Sequence, residues 1–421
     1  MNGIDDARDL PIARRATVIP ILPLAALPWL ALPYDSVAHL LGVDSALVQT
    51  LPLTALLAPV YLVVRGRDWR VNRGALHIGA WLTAAVLVVF IVTSLNIAYE
   101  SMARIEGDAS ARLGPAMRQA VSLMLGLASF WMFVDASQRL GLRSLLRWLA
   151  IGGLPTLLLA VVQAATGALR IQGFSSEPSH LADMLVLALI PAIVMAAPSG
   201  LLRLQYLVPT LGVLLLTFST TGFLKFTAAL GAVFVARGQT IRAVLALPVL
   251  AGLTFTVLSA FEDNYVFHTF NFMYTKYMET GELLGASFID RFYGFAGPIS
   301  MLDRLHTWLG YGLGSDTVYF YQLFDADTAE AIRDVKGDIA TIASLQGKWM
   351  MYGGLAGFGL YTGAWVCAWR RAKQGHVARV MIPVTYFASL FSLAPLFLPF
   401  VWLWLALAAA SVRDPLQPLK S

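Results

Sequence analysis

Long apolar runs, repeated along almost the whole chain, constrain this protein more than any other feature. A helix needs about 20 mostly apolar residues to cross a bilayer core, and every backbone N–H and C=O inside that core must find a partner away from water. Runs of this kind lie near Thr17–Tyr34, Ala46–Val64, Ala75–Ile97, Gln119–Ser137, Trp148–Thr166 and Leu181–Pro198. Others follow near Leu204–Phe218, Phe223–Ala236, Ala243–Ala260 and Ile342–Trp369. The last run, Val380–Ser411, is too long for one crossing and carries Pro395 and Pro399 near its middle, so it reads as a hairpin of two helices. The fold class predicted is therefore all-α: a polytopic membrane helical bundle of about 12 spans, with both ends on one side and one large loop. Its parts are a bundle with short loops over 1–260, the large loop over 261–341, and C-terminal membrane helices over 342–421.

Composition agrees. Only 13% of the 421 residues are charged and 58% are hydrophobic, against roughly 25% and 45–50% in soluble chains. That balance excludes a soluble enzyme, a nucleic-acid binder and a disordered chain. The single cysteine, Cys367, excludes a disulfide framework and a cysteine-ligated zinc site. The first apolar stretch lacks the usual small-residue cleavage site and precedes further spans, so it is expected to stay as a span and not to act as a secretory signal.

Charge gives the orientation. With the N-terminus inside, 19 of the 30 Lys and Arg fall in cytoplasmic segments, among them Arg65, Arg67, Arg70, Arg73, Arg139, Arg143 and Arg147. Of the 25 acidic residues, 19 fall outside or at the outer membrane edge. The 81-residue loop Phe261–Thr341 is acidic and holds 17 aromatic residues spread along its length. Long connections in compact proteins are usually functional, and this one is expected to be partly helical and to lie against the outer leaflet.

The membrane interior is nearly free of charge. Asp135, Asp183, Lys225 and Lys348 are the exceptions, and each lies near a span end, where a charged head group can snorkel to water. A coupled transporter needs ionisable groups near the midplane, so this pattern argues against one.

Three outer segments carry residues suited to chemistry. The first, Arg170-Ile-Gln-Gly-Phe-Ser-Ser-Glu-Pro-Ser-His180, gathers a cation, a carboxylate (Glu177) and an imidazole (His180) within eleven residues. The second, Ser219-Thr-Thr-Gly-Phe-Leu-Lys225, is a hydroxyl-rich turn with one cation, and read alone it is a capped helix start. The third lies in the large loop: Ser287-Phe-Ile-Asp-Arg291, Asp303-Arg304-Leu-His306-Thr-Trp308, then Gly310-Tyr-Gly-Leu-Gly314. The glycine run follows no strand of a βαβ unit, which excludes nucleotide binding; glycines so spaced let backbone turn tightly against a helix or a ligand. His180, His268 and His306 are far apart in sequence and form no metal-ligand spacing. Arg304 and His306 serve either chemistry or a local pairing with Asp303. Trp308 and Tyr319-Phe-Tyr321 are either interfacial anchors or platforms for stacking sugars.

In the order of these segments the chain resembles the bacterial O-antigen ligase and polysaccharide polymerase family, the Wzy-type integral membrane glycosyltransferases, with xanthan-type exopolysaccharide polymerases nearest. The matching stretches are Gly-Phe-Ser-Ser-Glu-Pro-Ser-His, the Leu-Thr-Phe-Ser-Thr-Thr-Gly turn, Arg291 through the glycine run, and Tyr352-Gly-Gly-Leu-Ala-Gly357 where the large loop re-enters the membrane. The resemblance implies transfer of a glycan from undecaprenyl pyrophosphate to a sugar hydroxyl at the periplasmic face of the inner membrane, with inversion and without metal or other cofactor. It implies a lipid-linked oligosaccharide as donor and acceptor, membrane lipid as surroundings, flippase and chain-length or export proteins of the same pathway as partners, and no nucleic acid.

A departing pyrophosphate must have its charge stabilised, and arginine matches phosphate oxygens in pairs. Arg291 matches the family's large-loop arginine and is the first choice for this role, followed by Arg170, Arg304 and Lys225. A general base would deprotonate the acceptor hydroxyl; the candidates are Glu177 and His306, then His180. Two places depart from the family pattern. Thr220 and Thr221 stand where many relatives have an arginine, and Ala343-Ser344 stands where many have a His-Asn pair. The rival readings are a ligase that moves a finished glycan to an acceptor, and a flippase or other transporter of lipid-linked oligosaccharide.

Overall fold

The computed structural model describes residues 53–65, 71–102, 108–168, 171–175, 177–196, 200–217, 219–236, 294–300, 306–323, 342–372, 377–392 and 396–410, with isolated positions within 252–333. Every regular element among them is a helix. In chain order these are α1 (Leu53–Arg65), α2 (Arg73–Met102), α3 (Asp108–Leu140), α4 (Leu142–Gly152), α5 (Leu154–Ala165), α6 (Pro178–Met184), a π turn (Leu185–Leu189), α7 (Ile190–Ala196), α8 (Gly200–Leu216) and α9 (Thr220–Ala236). From the large loop come α10 (His306–Leu309), α11 (Ser315–Val318) and a 3-10 turn (Phe320–Leu323); then follow α12 (Leu345–Arg371), α13 (Val377–Phe391) and α14 (Pro399–Ala410).

Among the described residues, four helices are long and apolar enough to cross a membrane: Arg73–Tyr99, Arg112–Leu140, Leu142–Ala165 and Pro178–Met195. Leu204–Leu216, Ala378–Phe391 and Pro399–Ala410 are shorter apolar helices. The expected spans near Thr17–Tyr34 and Ala243–Ala260 lie outside the described residues. Helix α2 shows how such a helix is specified. Asn72 caps it, accepting from the Ala75 N–H at 2.7 Å. Ile78, Leu82, Ala85 and Val89 make a buried stripe, while Leu76, Leu87, Ile91 and Leu95 are exposed. Apolar residues all round suit a helix with one face on protein and the rest in lipid.

Breaks in the helices follow local chemistry. Gly153 and Pro155 separate α4 from α5, since Pro155 offers no N–H to continue the ladder. Helix α4 starts at Leu142, earlier than the expected span, and leaves Arg143 and Arg147 exposed while burying Leu145, Leu146 and Leu149. In the π turn, the Trp404 indole donates to the Leu187 carbonyl at 2.7 Å, pairing a polar group inside an apolar bundle. The last apolar run is two helices, α13 and α14, and Pro399 opens the second.

Helix α12 departs from the expected single crossing near Ile342–Trp369. Its backbone leaves helical geometry at Gly354 (φ 56°, ψ −157°). The two halves fold toward each other, so that Trp349 stacks on Tyr361 with ring centroids 4.4 Å apart and planes 12° from parallel. In an unbroken helix these residues would be about 18 Å apart along the axis. The first half, Leu345 to Gly354, is buried throughout.

The core centres on α14, buried from Pro399 to Ala409. Helices in a bilayer are held by close packing more than by apolar burial, so small residues matter at contacts. Gly126 of α3 is one: a Cβ there would lie 2.4 Å from the Trp402 ring. Asn72 before α2 and Gln138 near the end of α3 both donate to the Ala410 carbonyl, at 3.4 Å each, so three helix termini meet at one end of the bundle. The glycine run of the large loop docks at the opposite end, called the loop end below.

Candidate functional site

At the loop end, the glycine run lies on three helices at once. Gly310, Gly312 and Gly314 have φ of 75°, 80° and 78°, left-handed conformations that glycine alone adopts at little cost. A Cβ on Gly310 would sit 2.4 Å from the Gly354 nitrogen in α12, one on Gly312 2.7 Å from Thr93 Cα in α2, and one on Gly314 2.8 Å from the Ala116 nitrogen in α3. The break in α12 explains the first contact. Breaking the helix frees carbonyls, and the loop supplies donors for them: Tyr311 N–H to Met351 O at 2.7 Å and Gly312 N–H to Tyr352 O at 3.0 Å.

The other side of the run is held by side chains. Leu313 N–H donates to Thr93 Oγ1 at 2.8 Å, and that hydroxyl donates to Val89 O at 2.6 Å. Arg112 of α3, only 1% exposed, donates from Nε to Leu313 O at 3.2 Å and from Nη2 to Tyr311 O. Just beyond, Asp316 of α11 pairs with Lys348 of α12 at 3.4 Å, with both side chains buried. The buried Tyr352 hydroxyl lies beside the same carboxylate. Taking two charges out of water is costly, and removing one partner of such a pair costs roughly 3–5 kcal/mol. The pair therefore holds α11 to the broken helix.

A second cluster joins the first two outer segments. Ser219 caps α9, accepting from Gly222 N–H at 3.2 Å. A Cβ on Gly222 would lie 2.5 Å from that of Ala182, so α9 meets α6 closely. One turn further on, Lys225 forms a buried ion pair with Asp183. The chain before α6 is folded by Gln163, whose Oε1 accepts from the N–H groups of Gln172 (3.1 Å) and Gly173 (2.9 Å). Glu177 stands at the N-cap of α6, exposed, and accepts from the Ser179 hydroxyl at 2.9 Å. His180 lies half-buried in the first turn of that helix.

The residues singled out from sequence divide as follows. Glu177 and His180 lie at the start of α6, and Lys225 of α9 pairs with Asp183 of the same helix α6. His306 opens α10, and Trp308 follows it with 64% of its surface exposed, next to the break in α12. Arg170, Arg291 and Arg304 lie outside the described residues. Lys225 and Lys348, which lie near span ends where a charged head group can snorkel, are buried in pairs with Asp183 and Asp316. Among the described residues, no three His, Cys, Asp or Glu side chains gather as metal ligands would.

Sequence reasoning passed over Arg112, Asp316 and Gln163. Arg112 had a signal: Arg112, Ala116, Gln119 and Leu123 form one buried stripe at helical spacing, so the helix of the fourth run starts well before its apolar part. Asp316 and Gln163 had none, because their partners are distant in the chain or on backbone. Compared with known proteins, the chain matches no family model and no curated sequence.

Proposed function

We propose that this chain is a membrane glycosyltransferase that joins undecaprenyl-pyrophosphate-linked oligosaccharide repeats into an exopolysaccharide or O-antigen chain. It works at the periplasmic face of the bacterial inner membrane, inverting the anomeric centre without a metal. The support is the order of motifs, together with one observation: the Gly310–Gly314 run and the Tyr352-Gly-Gly break, distant in sequence, interlock at one end of the bundle. An apolar bundle gives a polyprenyl donor its lipid, and the loop segment docked at its end presents the exposed Trp308 ring to a glycan.

In this reading Arg291, with Arg170 and Arg304, stabilises the charge on the departing diphosphate. Lys225 pairs with Asp183, so it serves to hold α9 against α6, the helix that carries Glu177 and His180. Glu177 is the first candidate for the base, being a carboxylate exposed at the cap of α6. His306 is the second, and Trp308 offers a ring for a sugar to stack on.

Deletion and complementation test it. A strain lacking the chain should accumulate single lipid-linked repeats at the periplasmic face and lose polymer, and the wild-type chain should restore polymer length. Accumulation of full-length lipid-linked polymer would instead mark a ligase, and repeats trapped on the cytoplasmic side a flippase.

A further inference from the structure

We propose that Arg112 is a positioning residue: it fixes the 310–314 loop on the break in α12 and so sets Trp308 at the mouth of the site. The claim rests on the glycosyltransferase reading above. Loop and helix are held from opposite sides. On one side Met351 O and Tyr352 O take the N–H groups of Tyr311 and Gly312. On the other, Arg112 reaches the carbonyls of Tyr311 and Leu313, and Thr93 takes the N–H of Leu313. Each residue from Tyr311 to Leu313 is thus pinned through its backbone, and rotation of one peptide would break bonds to two helices.

The geometry needs a guanidinium. Nε and Nη2 lie at different points of a planar fork and reach two carbonyls two residues apart, whereas a lysine ammonium is a single point on a flexible stem. The loop needs Gly312 for the same reason, since its absent Cβ would lie 2.9 Å from Arg112 Nη2. Trp308 is placed through this clasp. Its carbonyl carbon lies 2.6 Å from where a Cβ on Gly354 would be, while its side chain is 64% exposed. Its backbone is set by the interlocked glycines and its ring is left toward the surroundings. Arg112 touches no reacting atom in this scheme; it acts through the loop.

The test uses the full chain in lipid nanodiscs, with Arg112→Lys and Thr93→Val as independent ways of loosening the same loop. Amide hydrogen exchange over residues 310–318 should quicken about tenfold or more in both, with exchange in α13 and α14 unchanged. With a defined undecaprenyl-pyrophosphate oligosaccharide, kcat should fall about tenfold while KM for the donor stays put, the pattern of an interaction realised in the transition state. Unchanged loop exchange in both variants overturns the clasp. Faster exchange throughout the protein overturns it too, since Arg112 would then serve the whole fold. A loosened loop with wild-type kcat overturns the positioning role alone. If the wild-type chain transfers nothing, the glycosyltransferase reading fails and the positioning role with it, while the exchange result still decides the clasp.

Discussion

The two ends of the bundle treat buried charge differently. At the end where Asn72, Gln138 and Ala410 meet, Asp135 is fully buried but finds its cation one turn along its own helix. Arg139 Nε donates to both carboxylate oxygens at 3.0 Å and is itself 19% exposed. Tyr61 of α1 donates a further bond at 2.5 Å. At the loop end, Lys225 reaches Asp183 and Lys348 reaches Asp316, each across two separate elements and with every side chain 7% exposed or less. A local pair solves a local problem. A long-range buried pair fixes where two elements sit, and the loop end has two of them besides the Arg112 clasp. Asymmetry of that kind suits a protein whose chemistry is at one face.

Substitutions can break this contrast, and the largest effect belongs to the glycine interlock. Gly310→Ala would push a Cβ to 2.4 Å from a backbone nitrogen at a positive φ, where no flexible side chain can yield. It should remove most monodisperse protein in size-exclusion chromatography. Gly114→Ala, with nothing within 4 Å of the new Cβ, should leave the yield unchanged. Next comes Lys348→Met, which takes a buried cation away from the Asp316 carboxylate and should cost roughly 3–5 kcal/mol of stability, read from unfolding in detergent. Adding Asp316→Leu should recover most of that loss, because the penalty comes from burying a carboxylate after its cation is removed. At the opposite end, Arg139→Ala should cost less in the same measurement, since its guanidinium is partly solvated and Asp135 also accepts from the Tyr61 hydroxyl. Equal losses from Lys348→Met and Arg139→Ala would erase the distinction.

Much of the fold was legible in the apolar runs because a helix in lipid must be continuous and long, a requirement that leaves its mark residue by residue. Pro399 marked the start of the last helix for a similarly local reason. The glycine run, too, could be read as a close packer against helices. The break at Gly354 could not be read. Its Gly-Gly pair sits inside an apolar run, and the donors that meet the carbonyls freed by the break come from the loop forty residues earlier. The same limit hid the ion pairs. Lys225 and Lys348 were visible as isolated charges near span ends, but pairing with Asp183 and Asp316 is a fact of three dimensions. Of the candidate site, sequence supplied residue types and order, and the fold supplied their elements: Glu177 and His180 at the start of α6, Lys225 paired with Asp183 between α9 and α6, and Trp308 beside the glycine interlock.

The account stands most directly on one assay: transfer from a defined undecaprenyl-pyrophosphate oligosaccharide by the purified chain in nanodiscs, with excess EDTA, for wild type and Arg291→Ala. The prediction is a product ladder spaced by one repeat from the wild type, and none from the variant despite the same elution and thermal stability. A wild type that makes no ladder unless divalent cations are restored, or a variant that matches it, would contradict the claim that arginine holds the leaving diphosphate.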